Sequence, residues 1–202
     1  MEEIRLTREN RVITLQKALD VLRGGGLVVY PTETSYGLGC DFYNKKAIEK
    51  IYKVKEREAG KPLSVIVPDF VYATSLVDFS DAARRLAMEN WPGPLTLVLP
   101  FKYSDWQGHS DKYLALRVSN HPLAGDLSIN FGNPIVATSA NISQKGDSYD
   151  PYFIVDQFKQ QKLKPDLLIN VGELPKKLPS TIIKVDGDDV EILRQGGLEI
   201  KI

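Results

Sequence analysis

Short apolar runs alternate along this chain with stretches of helical period, and glycine or proline marks many of the changes between them. That alternation restricts the chain to a sheet flanked by helices. Leu15, Ala18, Leu19 and Leu22 share one helix face, which Gly24-Gly25-Gly26 brings to an end. Residues 27–30 then form a buried strand closed by Pro31. The stretch 45–56 places Ala47, Ile48, Ile51 and Tyr52 on one helical face, and 63–67 is an apolar strand. Ser80 is the expected N-cap of a helix that runs to Trp91 and stops at Pro92-Gly93-Pro94. His121-Pro122 and Asp150-Pro151 start two more helices, with proline at the first helical position. Residues 95–99, 114–118, 135–138, 167–169, 182–185 and 191–193 supply further strands. Asp186-Gly187-Asp188-Asp189 joins the last two as a hairpin. Adjacent strands joined by a hairpin exclude a purely parallel sheet. A single α/β domain over 1–202 with a mixed sheet is the expected fold.

Composition narrows the function. The 202 residues carry 26 Lys and Arg against 26 Asp and Glu, so no global basic excess marks a dedicated non-specific nucleic-acid binder. One cysteine, Cys40, excludes an internal disulfide framework and a Cys-rich zinc site. The two histidines, His109 and His121, leave little for a His-based metal centre, and local structural roles are expected for both. No apolar run approaches the ~20 residues of a membrane-spanning helix. Residues 1–5 lack the pattern of a secretory leader, so a cytoplasmic protein without membrane contact is expected. The G-x-G-x-x-G, G-x-S-x-G and H-E-x-x-H patterns are absent.

Three polar stretches remain. Tyr30-Pro31-Thr32-Glu33-Thr34-Ser35-Tyr36-Gly37-Leu38-Gly39-Cys40 runs from a strand through hydroxyl residues to two glycines. Hydroxyls and free amides at a strand end suit a small polar ligand. They equally suit a turn in which Thr32 and Thr34 bond their own backbone. Lys53-Val54-Lys55-Glu56-Arg57-Glu58-Ala59-Gly60-Lys61 places four cations at the end of a helix and in the loop beyond it. This is either a phosphate clamp, with Lys55 as a point charge and Arg57 as a fork, or a solvated face whose charges pair with Glu56 and Glu58. Thr138-Ser139-Ala140-Asn141-Ile142-Ser143 follows a strand, and Ser139 and Asn141 face the same way if the chain stays extended. Arg117, in the alternating Leu114-Ala115-Leu116-Arg117-Val118, is an unusual charge on a half-buried strand.

Taken in order, P-T-E-T-S-Y-G-L-G at 31–39, K-x-R at Lys55 and Arg57, and W-P-G-P-L-T at 91–96 resemble the YrdC-like family of threonylcarbamoyl-AMP synthases. The likeness continues through A-x-R-V at Arg117, S-x-N at Ser139 and Asn141, S-T-I at Ser180 and L-R-x-G at Arg194, and covers 12–197. It implies a twisted, open mixed sheet with a positively lined groove. It also implies a reaction joining L-threonine, bicarbonate and ATP into L-threonylcarbamoyl-AMP and pyrophosphate, the first step of tRNA t6A37 modification. Thr32, Arg117, Ser139 and Ser180 would hold threonine and its carbamate. Lys55 and Arg57 would be catalytic and bind nucleotide together with Asn141, Ser148, Tyr149 and Arg194. Mg2+ would arrive on ATP, with no metal held by protein alone. Downstream partners would be tRNA threonylcarbamoyl transferase proteins, with RNA or tRNA contact open.

The chain departs from the family pattern at three positions. Glu58 follows Arg57 where proline is common, Ile66 stands where longer members carry histidine, and Tyr113 replaces a small hydroxyl residue. These favour a YciO-like paralogue using another amine or acyl donor, whereas Lys55, Arg57, Ser139 and Asn141 oppose it. A third reading is a non-enzymatic RNA-binding protein with a basic strip of Lys45, Lys46, Lys50, Lys53, Lys55 and Arg57.

Overall fold

The computed structural model describes residues 1–103 and 112–200; His109 lies outside them. In chain order the elements are β1 (Glu2–Arg5), α1 (Arg11–Arg23), β2 (Val28–Pro31), β3 (Tyr36–Gly39), α2 (Lys45–Val54), β4 (Ser64–Ile66), α3 (Phe70–Leu76) and α4 (Asp81–Asn90). There follow β5 (Leu95–Pro100), β6 (Tyr113–Arg117), α5 (Pro122–Phe131), β7 (Ile135–Ser139), α6 (Pro151–Phe158), β8 (Leu167–Asn170), β9 (Thr181–Asp186) and β10 (Asp189–Arg194). The strands join in one mixed sheet in the order β1-β8-β2-β3-β7-β4-β6-β5-β9-β10.

The expected caps are present. Ser80 Oγ accepts from Ala83 N–H at 3.3 Å, and Asp150 Oδ1 accepts from Tyr152 N–H at 2.9 Å ahead of Pro151. Gly187, at φ 60°, turns the β9–β10 hairpin. Strands β1 and β3 and helix α3 were not expected from the pattern. In β3 the glycines serve contact rather than strand propensity. A Cβ on Gly39 would stand 2.6 Å from the Val136 carbonyl oxygen and 2.8 Å from the Ile135 side chain, so only glycine lets β7 approach this closely.

Alternation of side chains across the sheet creates two apolar layers. Val29, Val65, Val136 and Leu168 face one side with α2 and α6. Their neighbours Val28, Ile66, Ile135, Ala137, Leu167 and Ile169 face the other side, under α1 and α5. Strands β4, β6, β5 and β9 extend this sheet beyond those two helices. Their first face is buried through Leu95, Leu97, Leu99, Leu114, Leu116 and Ile183. On the opposite face Ser64, Thr96, Val98, Ala115, Arg117, Ile182 and Lys184 line an open groove. Arg117 is itself buried at 7 % exposure, and it is tolerated on this strand because it borders the groove with its charge paired to a carboxylate. Among the described residues no helix is long and apolar enough to cross a membrane.

Candidate functional site

The groove encloses about 560 Å3. Segments far apart in sequence meet along it, and each is aimed by a local backbone device. At its rim Pro31 and Tyr36 pair across the β2–β3 ladder, leaving residues 32–35 as the connection. Thr32 Oγ1 donates to the Ser35 carbonyl at 2.7 Å and accepts from Thr34 N–H at 3.2 Å and Ser35 N–H at 3.3 Å. The self-bonded turn and the wall of the groove are thus the same residues, since Thr32, Thr34 and Ser35 all line it.

Glu33, at the tip of that connection, had no assigned role in the sequence. Its carboxylate stands 2.9 Å from Arg117 Nη1, both side chains less than a tenth exposed, and it also accepts from the Ser119 hydroxyl. The signal was a single carboxylate in an otherwise uncharged stretch. Beside it, His121 caps α5 with Nδ1 accepting from Leu123 N–H at 3.2 Å, and burial pulls its imidazole below its ordinary value while Glu33 opposes.

The C-terminus of α2 delivers the K-x-R pair. Glu56 N–H donates to the Lys53 carbonyl at 3.2 Å and Arg57 N–H to the Tyr52 carbonyl at 2.9 Å. This double bond pattern closes the helix around Glu56 in the left-handed region at φ 50°, a place that favours glycine. The reversal turns Arg57 into the groove wall while Lys55 stays buried at 2 % exposure. Arg57 Nη2 donates to the Pro62 carbonyl at 3.0 Å, whereas its Nε is buried with no hydrogen-bond partner among the described residues.

Lys55 is spent on the protein itself. Its ammonium donates to the carbonyl of Ser139, to the Asn141 carbonyl at 2.7 Å and to Asn141 Oδ1 at 3.3 Å. Its own carbonyl accepts from Ser143 N–H at 2.8 Å. An ammonium has three donors, so this set leaves none for another acceptor. Burial, and then Arg57, pull its pKa down to about 8, with Asp147 opposing.

The chain does not stay extended through S-x-N. Asn141 N–H donates back to the Ser139 carbonyl at 2.9 Å, so Ser139 lines the groove while Asn141 is buried beneath it, with Nδ2 donating to Ile142 O at 2.8 Å. Ser148 is buried, and its Oγ accepts from Gln157 Nε2 at 3.1 Å. The Tyr149 hydroxyl donates to the Lys177 carbonyl at 2.7 Å. The structure thus sets Thr32, Arg57, Arg117, Ser139, Ser180 and Arg194 along the wall, with Lys55, Asn141 and Ser148 packed behind it.

Arg194 reaches the groove because β10 carries a bulge. Ile192 pairs with Ile183, but Arg194 pairs with Ile182, a groove-facing residue; in unbroken register Leu193 would take that place and Arg194 would face the core side. Its guanidinium donates to the Ser180 carbonyl at 2.9 and 3.1 Å and to Ser180 Oγ at 3.1 Å. The Ser180 and Thr96 hydroxyls are 2.9 Å apart. Burial holds Arg194 below its ordinary value, with Asp147 opposing and Arg117 adding.

The three departures have separate fates. Glu58 pairs with Lys61 at 3.1 Å on the surface. Ile66 stands beside Arg117 across the β4–β6 ladder but is buried in the layer under α1 and α5. Tyr113 lines the groove, donates to Asp186, and carries Lys184 Nζ 4.3 Å above its ring. Cys40 is buried, which pushes its thiol up and away from nucleophilic use. Among the described residues no group of three or more His, Cys, Asp or Glu is placed to hold a metal ion.

Comparison with known proteins places the chain in a family. The family description Sua5_yciO_yrdC, Telomere recombination, matches residues 20–196. A putative threonylcarbamoyl-AMP synthase of Methanocaldococcus jannaschii is 32% identical over 197 residues, covering 97% of this chain and 92% of that protein. The crystal structure of P. abyssi Sua5 complexed with L-threonine matches at TM-score 0.85 and 32% identity over 98% of this chain, which spans only 57% of that longer chain. The crystal structure of E. coli YciO matches at TM-score 0.83 and 26% identity, covering 99% of this chain and 96% of that one.

Proposed function

The chain belongs to the Sua5_yciO_yrdC family, and on that premise we propose that it converts L-threonine, bicarbonate and ATP into L-threonylcarbamoyl-AMP and pyrophosphate. The observation that carries this reading is the assembly of guanidiniums from the turn after α2, from β6 and from β10, with hydroxyls from residues 32, 139 and 180, along one groove. The threonine amine condenses with bicarbonate to a carbamate, releasing water. A carbamate oxygen then attacks the α-phosphorus of ATP, the bond to the bridging oxygen breaks, and pyrophosphate leaves with the electron pair. No covalent nucleophile is needed, only positioning and charge neutralisation.

Arg117, made rigid by Glu33, faces the substrate carboxylate, with Thr32, Ser139 and Ser180 offering hydroxyls to threonine and its carbamate. Arg57 and Arg194 face the phosphates. Lys55 acts from behind, fixing the 139–143 loop and adding positive charge under it; Asn141 and Ser148 are packed on that side, while Tyr149 bonds to the 174–177 segment. Mg2+ enters as a companion of ATP. The product is passed to a tRNA-modifying transferase in the t6A pathway.

Carbon-13 bicarbonate supplied with L-threonine and MgATP is expected to give a product whose mass matches L-threonylcarbamoyl-AMP and which carries the heavy carbon. A second reading, another amine in place of threonine, draws on Tyr113 in the wall. An adduct formed with a different amine and not with threonine decides for it.

A further inference from the structure

Asp147 is the one carboxylate among the described residues lining the groove, facing a wall whose other charges are Arg57, Lys112, Arg117, Lys184 and Arg194. It sits between Gly146, at φ 75°, and Ser148, whose carbonyl accepts from Tyr36 N–H at 2.9 Å. That bond ties the loop to β3 and holds the carboxylate at the groove. No hydrogen bond or ion pair engages it among the described residues. Its field nevertheless reaches Lys55, Arg194 and Tyr149. Arg57 lines the same groove, and its Nε is buried without a hydrogen-bond partner among the described residues.

An unpaired carboxylate repels a bare triphosphate. It suits a triphosphate that carries Mg2+, because Mg2+ prefers one or two carboxylates together with phosphate oxygens and retained waters to an all-protein cage. We propose that Asp147 is the chain's own ligand to the divalent cation borne by the nucleotide, directly or through one water of its shell. This rests on the nucleotide reading of the groove. The cation is thereby fixed over the phosphates that must leave, and its charge lets the carboxylate and the guanidiniums share one site without mutual cancellation.

Binding tests this without turnover. ATP affinity is measured for wild type, Asp147→Asn and Asp147→Glu by calorimetry, in EDTA and in saturating Mg2+. Mn2+ affinity of the ATP complex is measured by electron paramagnetic resonance. The Asn variant is expected to bind ATP roughly threefold tighter in EDTA, where a repelling charge has gone. In Mg2+ it should bind about tenfold weaker, with a similar loss in Mn2+ affinity. The Glu variant, which keeps the carboxylate, should retain the wild-type preference for the metal complex. Tighter binding by the Asn variant under both conditions would reduce Asp147 to a repelling charge and overturn the proposal. Equal affinities, or equal losses under both conditions, would overturn it as well. Wild-type protein that binds no ATP in either condition would overturn the nucleotide reading itself, and the proposal with it.

Discussion

Arg117→Met is expected to destabilise the fold by about 3–5 kcal/mol and to abolish saturable threonine binding. The cause of the first effect is Glu33. Its carboxylate is buried beside Arg117 at 2.9 Å, and removal of the guanidinium leaves a desolvated charge held, among the described residues, by the Ser119 hydroxyl. Denaturant unfolding should show this as a lower midpoint at unchanged slope. The double variant Glu33→Gln, Arg117→Met should recover much of the stability, since no buried charge is then unpaired, yet threonine binding should stay absent. Recovery of both would assign the pair to structure alone. Loss of stability equal to the sum of the single variants would contradict the coupling.

Lys55→Met should reduce pyrophosphate release by about 10²–10³-fold, as expected when a charge and the alignment it imposes are lost together. The ammonium is the common anchor of the Ser139 and Asn141 carbonyls and the Asn141 side chain, so methionine leaves three acceptors without their donor. Each buried acceptor so exposed costs about 1–3 kcal/mol before relaxation. The pH dependence has a definite sign. Burial lowers the native pKa from 10.5 to about 8. Between those values the unfolded state binds the proton and the native state does not, so this group makes stability rise with pH across that window, by about 3 kcal/mol in total. Below pH 8 both states are protonated and the contribution is flat. ATP affinity should move the other way, weakening as the ammonium loses its charge above pH 8. Unfolding and ATP titrations of wild type and Lys55→Met between pH 7 and 10.5 check both slopes; parallel stability curves for the two proteins would refute the shift.

Much of this site is legible in sequence because its anchors sit where strands and helices end. Pro31, Gly24-Gly25-Gly26, Ser80 and Asp150-Pro151 mark boundaries that the structure keeps, and Arg117 announces an open face on an alternating strand. What stayed hidden was long-range or depended on a single backbone irregularity. Glu33 meets Arg117 across 84 positions of sequence, and nothing local to either shows the pairing. The hydrogen bond from Asn141 back to Ser139 defeats the extended spacing argument and puts the two side chains in different places. The bulge at Ile192–Arg194 reverses the face of Arg194, which alternation alone would have turned inward. Strand β3 was invisible because Gly37 and Gly39 lower strand propensity, yet the lack of a Cβ is what lets β7 pack beside it. In the charge run Lys55 reads equally as a phosphate ligand or as a solvated charge, whereas its burial makes it the fastener of the loop behind the groove.

The central claim is that this groove joins a carbamate to an adenylate, and pyrophosphate release tests it most directly. Purified protein with MgATP should release pyrophosphate only when L-threonine and bicarbonate are both present, and omission of either should return the signal to background. Release from ATP that is indifferent to threonine and bicarbonate, or no release from folded protein with all three present, would contradict the account.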